Sequence, residues 1–253
     1  MDPFFRDLRA VLFDLDGTLI DTNELIIRSH QHTFRVHLGR EVPAEEITPH
    51  FGRGLVPIME LFGGKEKAEA MRRTYVDFNW AHHDELAKPF PGVREALAEL
   101  RGLGLRLAIV TGKRREIGRR GLDLFQLREF FEAAVFFDDV AESKPHPAGV
   151  LRALELLGEP PERAVMVGDS PLDIECAAAA GVRAIGVRWS AVGEAALRAA
   201  RPDYLIGSMS ELIEIVTTNH TNDKNGNPKP KPWQAITIAI GNQPTAGSGK
   251  HDD

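Results

Sequence analysis

The sequence has almost no cysteine and no long apolar stretch. Cys176 is the only cysteine among 253 residues, so the chain cannot close an internal disulfide or build a cluster of thiolate metal ligands. No apolar run approaches the roughly 18 residues of a membrane-spanning helix. The N-terminal stretch MDPFFRDLR also lacks the basic-then-apolar order of a signal peptide. These absences predict a soluble, cytoplasmic protein without a membrane partner.

The sequence also lacks an excess of positive charge. Its 31 basic residues are outnumbered by 37 acidic ones, which gives a net charge of −6, and there is no long basic tract. The electrostatic footprint of a nucleic-acid-binding protein is therefore missing, and we expect no nucleic-acid partner. If the protein handles phosphate, it must concentrate positive charge locally. Nothing in the sequence predicts an oligomeric state.

Short apolar segments alternate with helical segments along most of the chain. Fully apolar strands that alternate with helices are typical of a parallel sheet covered by helices on both faces. In such sheets, ligands bind at the carboxyl ends of the strands. The predicted strands are Ala10–Phe13, Leu105–Val110, Ala133–Phe137, Ala164–Val167, Val182–Val187 and Tyr204–Ile206.

A long, mostly helical stretch separates the strand that ends at Phe13 from the next strand. A loop of this length is implausible inside one compact domain, so we predict an inserted helical cap over residues 22–88 and a core of residues 1–21 and 89–216. The two crossings, Ile20–Thr22 and Ala87–Gly92, would be the hinges. Asp21 and Glu24 resemble a capping box for the first inserted helix, whose expected buried face carries Leu25, Ser29, His32 and Val36.

The C-terminal segment differs in composition from the rest of the chain. Ser208 and Glu211 have the spacing of a capping box, which predicts a last helix ending at Val216. Residues 217–253 are rich in Asn, Pro and Lys, as expected for a flexible tail. The apolar hexamer Ala235–Ile240 either pairs as a strand or is an adventitious end.

Polar residues follow four of the predicted strands. Each group has an ordinary explanation on its own: a turn, a helix cap or a solvated lysine. Together they converge on one edge of a parallel sheet, where so many carboxylates require a cation, and hard oxygen ligands favour Mg²⁺. The groups are Asp14-Leu15-Asp16-Gly17-Thr18, Thr111-Gly112, Lys144, and Asp169 with Asp173.

This set of motifs resembles the haloacid dehalogenase (HAD) superfamily of phosphohydrolases from about Ala10 to Asp173. The resemblance implies a Rossmann-like parallel sheet with an inserted helical cap. It further implies that Asp14 is the nucleophile, which forms an aspartyl-phosphate, and that Asp16 is the general acid and base. Thr111, with the adjacent backbone N–H at Gly112, would hold the transferring phosphoryl group, and Lys144 would neutralise its charge.

The same resemblance implies the metal ligands. Mg²⁺ would be held by the Asp14 carboxylate, the Asp16 backbone carbonyl and Asp169, with Asp173 as a more distant or auxiliary ligand. The acid at Asp16 argues against a dehalogenase, because a halide leaves without a proton. Phosphomutases keep both aspartates and remain an alternative, as does a phosphate-binding protein that has lost catalysis.

Residues of the predicted cap are the candidates for substrate recognition. Arg53 lies between two glycines and suits a phosphate or a carboxylate, while His82 and His83 are either anion contacts or the surface end of a helix. The TNELI and FN-x-x-HHDEL segments resemble the PpaX-type inorganic pyrophosphatases. The expected substrate is therefore a small phosphorylated anion, with pyrophosphate favoured and phosphoglycolate or another small phosphate monoester as the alternative.

Overall fold

A six-stranded parallel sheet forms the centre of the molecule. The computed structural model describes residues 3–220, and the strand order in the sheet is β5-β4-β1-β6-β7-β8, with every pairing parallel. The predicted α/β fold class is confirmed. The strands are β1 (Ala10–Phe13), β4 (Arg106–Val110), β5 (Ala133–Val135), β6 (Ala164–Gly168), β7 (Arg183–Val187) and β8 (Tyr204–Ile206).

The environment of the central strand β1 shows why the strands consist of apolar residues. All four residues of β1 are buried, with Val11 and Phe13 in one hydrophobic cluster and Ala10 and Leu12 in the other. Both faces of the sheet are thus covered, and neither tolerates polar side chains. Strand β5 is two residues shorter than predicted, because Phe137–Asp139 forms a 3₁₀ turn in which the Asp139 carboxylate accepts a hydrogen bond from the Phe136 backbone.

Helices pack against the two faces of the sheet. Residues of α5, α6 and α10 contribute to the Val11 and Phe13 cluster, and residues of α7, α8 and α9 to the Ala10 and Leu12 cluster. None of the helices within residues 3–220 is long and apolar enough to cross a membrane. The helices are α5 (Val93–Gly102), α6 (Arg115–Leu124), α7 (Ala148–Leu157), α8 (Pro171–Ala179), α9 (Glu194–Ala199) and α10 (Met209–His220).

Residues 22–88, which we call the helical insertion, have a hydrophobic cluster of their own that includes Phe34, Met59 and Met71. The chain enters through β2 and leaves through β3, and these strands pair antiparallel, Ile20 with Pro89 and Asp21 with Lys88. Both crossings therefore lie side by side in one narrow ribbon. The elements are β2 (Ile20–Asp21), α1 (Asn23–Leu38), α2 (Ala44–Ile47), α3 (Leu55–Gly63), α4 (Lys65–Leu86) and β3 (Lys88–Pro89).

The predicted buried face of α1 was wrong in part. Leu25 and Ser29 are buried, but Val36 is 57% exposed and His32 only half-buried; the buried side chains further along are His30, Thr33 and Phe34. The buried face of α1 is rotated relative to the predicted one because α1 packs against both α4 and α3. Phe34 of α1 stacks on Phe62 of α3 with ring centroids 4.5 Å apart.

The predicted capping box at the start of α1 does not form. Thr22 is the N-cap residue and makes no side-chain cap bond. Asp21 instead accepts a hydrogen bond from the Asn23 backbone at 3.2 Å, and Glu24 pairs with Arg28 one turn later. The helix still begins where the sequence indicates.

The last helix begins at the predicted position but runs further. The Glu211 backbone N–H donates to Ser208 Oγ at 3.2 Å, which is one half of the predicted capping box, while the Glu211 carboxylate accepts from the Gly207 backbone instead of Ser208. Helix α10 ends at His220, four residues beyond Val216. The remainder of the predicted tail, including Ala235–Ile240, lies outside the described residues.

Candidate active site

Three neighbouring strands deliver the central residues of the site. β1 lies between β4 and β6, so Asp14, Thr111 and Asp169 directly follow adjacent parallel strands at the same edge of the sheet. All three side chains are buried, with 6 to 7% of their surface exposed. The structure thus brings together residues that are distant in the sequence, as expected for the carboxyl edge of a parallel sheet.

Lys144 joins this cluster from the loop before α7. Its ammonium donates to Asp14 Oδ1 at 2.7 Å and to Asp173 Oδ1 at 2.5 Å, and only 10% of the side chain is exposed. Burial alone would lower the pKa of Lys144, but the charges of Asp14 and Asp173 outweigh it and raise the pKa. Lys144 is therefore a fixed positive charge in the site, and the ordinary explanation of a solvated lysine does not apply.

The buried carboxylates carry more negative charge than the Lys144 ammonium balances. Oxygens of Asp14, Asp169 and Asp173 lie within 4.8 Å of one another. Burial is the main cause that raises the pKa of Asp14 to about 7, despite the attraction of Lys144. Burial, together with the charges of Asp14 and Asp173, raises the pKa of Asp169 well above its usual value. At an effective dielectric constant of 20, two charges 4 Å apart interact by about 4 kcal/mol. The cluster consequently favours a bound proton or cation.

Asp173 has both carboxylate oxygens occupied. Oδ1 accepts from Lys144, while Oδ2 accepts from the backbone N–H and the hydroxyl of Ser170 at 3.0 and 2.7 Å. The contact with the Ser170 backbone is one arm of the capping box that starts α8. Asp173 thus connects Lys144 to the loop that follows β6.

Two glycines let the chain pass close to these carboxylates. A Cβ atom on Gly17, whose φ is +79°, would lie 2.2 Å from Asp169 Oδ2, and one on Gly168 would lie 2.3 Å from Asp173 Cβ. No side chain fits at either position without displacing an aspartate. The glycine of the D-x-D-G-T motif is therefore required both by its backbone angle and by its distance from Asp169.

Asp16 is held separately from the acidic cluster. Its Oδ1 accepts hydrogen bonds from the Thr22 hydroxyl at 2.9 Å and from the Lys113 ammonium at 2.6 Å. Sequence reasoning missed both partners. The signal for Lys113 was present in the stretch TGK, where Lys113 follows the end of β4 within the same turn as Thr111.

Thr111 and Gly112 form that turn. The Thr111 Oγ1 accepts a hydrogen bond from the Lys113 backbone N–H at 3.2 Å, and a Cβ atom on Gly112 would meet nothing within 4 Å. The turn places the threonine hydroxyl at the sheet edge and directs the Lys113 side chain towards Asp16.

The helical insertion approaches the site through Gly52, which precedes Arg53. A Cβ atom on Gly52 would lie 3.0 Å from Ser170 Oγ, so this loop touches the loop that follows Asp169. Arg53 is exposed, and its guanidinium makes none of the hydrogen bonds or ion pairs found within residues 3–220. Tyr75 also approaches the site: burial and, to a lesser extent, the charge of Asp16 raise the pKa of its phenol.

The two predicted histidines occupy different environments. His82 packs on Phe78 and pairs with Glu85 at 3.3 Å, away from the aspartates. His83 is fully buried, with Nδ1 2.9 Å from Asp84 and burial lowering its pKa. His83 packs where α4 meets α6, within electrostatic reach of Lys113 and Asp16. The role of the two rings as anion contacts stays a prediction.

Comparison with known proteins agrees with this geometry. Residues 11–187 match the family model of the haloacid dehalogenase-like hydrolases. The chain belongs to this family. The predicted resemblance is confirmed, and the protein is a HAD phosphatase.

Two relatives of similar sequence are named as the pyrophosphatase PpaX. One relative, from Caldanaerobacter subterraneus, is provisionally named pyrophosphatase PpaX. It is 47% identical over 209 residues, which is 83% of this chain and 94% of the relative. The pyrophosphatase PpaX of Bacillus cereus is 41% identical over 210 residues, 83% of this chain and 97% of the relative. The HAD relatives in this group are thus named for hydrolysis of a phosphoric anhydride.

A solved structure of a HAD protein shows the same fold. The crystal structure of a predicted phosphoglycolate phosphatase from Haemophilus somnus superposes with a TM-score of 0.77 at 21% identity and covers 83% of this chain and 98% of the other. At this identity the likeness concerns the fold alone.

Proposed function

We propose that the protein is a Mg²⁺-dependent inorganic pyrophosphatase that works through an aspartyl-phosphate. The observation that carries this proposal is the arrangement of Asp14, which contacts the Lys144 ammonium, beside a separately held Asp16. Relatives named as pyrophosphatases, 41 to 47% identical over 83% of the chain, support the choice of substrate.

The acidic cluster has the donor chemistry of a Mg²⁺ site. Its carboxylates are buried, lie close together and carry more negative charge than Lys144 balances, and hard oxygen donors of this kind suit Mg²⁺. The ligands would be the Asp14 carboxylate, the Asp16 backbone carbonyl and Asp169. Since both oxygens of Asp173 are occupied, its role would be to position Lys144 and Ser170. When bound, the ion neutralises charge on the phosphoryl oxygens.

The side chains divide the reaction into two steps. An Asp14 oxygen attacks phosphorus, forming the acyl-phosphate as the bond to the leaving phosphate breaks, and Asp16 supplies a proton to the leaving oxygen. Asp16 then takes a proton from water, which attacks the acyl-phosphate and releases the second phosphate. Thr111 and the Gly112 backbone would orient the transferring group, while Lys144 stabilises its charge.

The helical insertion would act as the cap of this core. Residues 1–21 and 89–216 would form the catalytic core, and movement of residues 22–88 about the β2–β3 ribbon would close the site and exclude water. Arg53 is the proposed substrate contact of the cap, because its loop already touches the loop that follows Asp169. A guanidinium binds phosphate and carboxylate equally well, so phosphoglycolate is the second candidate substrate.

Phosphate release from a panel of substrates tests the proposal. With Mg²⁺ present, we expect kcat/KM for pyrophosphate to exceed that for phosphoglycolate, glucose phosphates and glycerol phosphate. A tenfold preference for phosphoglycolate would reject pyrophosphate as the substrate. Transfer of phosphate between hydroxyls of one sugar would indicate a mutase, and retained ligand-induced thermal stabilisation without turnover would indicate a binding protein.

The stability of the metal-free protein should depend on pH. The raised pKa of Asp14, about 7, means that the folded protein holds a proton that the unfolded chain releases near pH 3.8. The folded state therefore binds more protons between about pH 4 and pH 7, and the free energy of unfolding should fall as pH rises through this interval. Scanning calorimetry with a chelator measures the melting temperature across this range.

The Asp169→Asn variant provides the comparison for this pH dependence. Because it removes one of the two buried carboxyls whose pKa is raised, its melting temperature should fall less steeply with pH than that of the wild type. Mg²⁺ should stabilise the wild type more at pH 8 than at pH 5. A wild-type melting temperature that rises between pH 5 and pH 8 in chelator, with the same slope in Asp169→Asn, would contradict the proposed cluster energetics.

A further inference from the structure

Two buried ammonium groups lie in the site, and they are paired differently. Lys144 contacts two carboxylates, those of Asp14 and Asp173, whereas Lys113 contacts one, that of Asp16. The Lys113 side chain is 11% exposed and its Nζ lies 2.6 Å from Asp16 Oδ1. The charge of Lys113 is thus less neutralised by protein groups, and it lies on the Asp16 side of the site.

The Asp16 carboxylate has one oxygen engaged by the protein. Within residues 3–220, both of its side-chain hydrogen bonds, from Thr22 and from Lys113, go to Oδ1. Oδ2 is the oxygen that remains to exchange a proton with a substrate. A leaving-group oxygen must come within roughly 3 Å of that oxygen, so it lies within about 8 Å of the Lys113 ammonium.

Two side chains of the insertion, Tyr75 and His83, are within electrostatic reach of Asp16. A phenol is uncharged at neutral pH, and the raised pKa of Tyr75 makes its ionisation harder still; burial lowers the pKa of His83, which favours its neutral ring. A leaving group bound at Asp16 would meet these neutral side chains on the insertion side and the Lys113 ammonium on the core side, whereas Arg53 lies on the loop next to Ser170. Such a site favours a leaving group that carries its own negative charge.

We propose that Lys113 is a specificity-determining residue that selects phosphate compounds with an anionic leaving group. This inference rests on the proposed phosphohydrolase chemistry of Asp14 and Asp16 but not on pyrophosphate being the substrate. Pyrophosphate loses a charged phosphate and phosphoglycolate loses a group with a carboxylate, so both belong to the selected class. A monoester of a neutral alcohol does not.

A matched pair of substrates isolates this effect. Phosphoglycolate and 2-hydroxyethyl phosphate share a two-carbon leaving group, and only the first carries a carboxylate. In Lys113→Met, we expect the ratio of kcat/KM for phosphoglycolate to that for 2-hydroxyethyl phosphate to fall by about 10-fold or more. Because both substrates are measured on the same variant, any effect of the substitution on Asp16 that is common to the two substrates cancels in the ratio. Lys113→Arg, which keeps the charge, should restore most of the ratio.

A neighbouring arginine supplies the control. Arg114→Met removes one positive charge from the next position, where the exposed guanidinium lies 3.6 Å from Asp138, and should leave the ratio within about twofold of the wild-type value. An unchanged ratio in Lys113→Met would overturn the proposal and leave Lys113 as a residue that only positions Asp16. If the ratio fell equally in Arg114→Met, the selection would come from the overall positive charge of this surface and not from Lys113.

A binding measurement covers the case in which turnover is too slow to measure. Methylenediphosphonate carries a second anionic group in place of the leaving phosphate, and methylphosphonate does not. Lys113→Met should weaken binding of the first about 10-fold more than binding of the second, measured by calorimetry with Mg²⁺. Equal weakening would reject the proposal. Failure to hydrolyse pyrophosphate would count against the proposed function alone, because neither the monoester pair nor the phosphonate pair uses pyrophosphate.

Discussion

The Asp14→Asn substitution is expected to lower kcat for pyrophosphate by at least about 10⁴-fold, because an amide cannot attack phosphorus to form the acyl-phosphate. The folded structure should persist. An amide resembles the protonated carboxyl that burial already favours at this position, where the pKa of Asp14 is raised to about 7, and Lys144 keeps its contact with Asp173. In chelator at pH 8, the variant should therefore melt at a temperature equal to or above that of the wild type.

An exposed carboxylate provides the control for this result. Glu175→Gln removes the same charge from the surface of α8, two residues beyond Asp173, and should leave kcat within about twofold of the wild-type value. Acid-quenched wild-type enzyme should contain phosphate bound to protein, and Asp14→Asn should not. Turnover of the variant above 1% of the wild-type rate in Mg²⁺ would show that Asp14 is not the nucleophile.

The Gly17→Ala substitution is expected to damage both activity and stability. Its φ of +79° strains any other residue, and the added Cβ would lie 2.2 Å from Asp169 Oδ2. We expect a destabilisation of about 2 to 4 kcal/mol from strain and overpacking. Because Asp169 must move away from the acidic cluster, kcat/KM should fall by about 100-fold or more. Chemical denaturation and steady-state kinetics measure the two effects.

Gly104→Ala separates backbone strain from the loss of space. Gly104 has a φ of +81°, close to that of Gly17, but nothing lies within 4 Å of a Cβ there. This variant should lose about 1 to 2 kcal/mol through strain and keep its kinetic constants. If Gly17→Ala were no more harmful to kcat/KM than Gly104→Ala, the close approach of Gly17 to Asp169 would have no catalytic importance.

The parts of the fold that follow from local sequence were predictable. Strand β1 was predicted with its observed bounds, because an unbroken apolar run can only be a strand buried on both faces when helices flank it. The meeting of Asp14, Thr111 and Asp169 followed from the same reasoning, since parallel strands end at one edge. The order of the strands in the sheet was not contained in any local pattern.

Features that depend on packing between distant segments were not predictable. The capping box at Asp21 and Glu24 was plausible locally, but the Thr22 hydroxyl bonds to Asp16, and Asp21 takes part in the ribbon with Lys88. The buried face of α1 depends on where α3 and α4 lie. Lys113 was overlooked, although it follows Thr111 in the TGK stretch, because its partner Asp16 lies 97 positions away and their 2.6 Å contact depends on how the strands pack.

The ribbon of β2 and β3 has a consequence for how such an enzyme can diversify. Because Asp21 pairs with Lys88, the two ends of a segment of more than 60 residues meet side by side, at a spacing that a short hairpin turn also spans. The segment can therefore be lengthened, exchanged or lost in a single genetic event without rethreading the sheet. Selectivity for new substrates can be acquired in this way while Asp14 and its neighbours stay on the central strands.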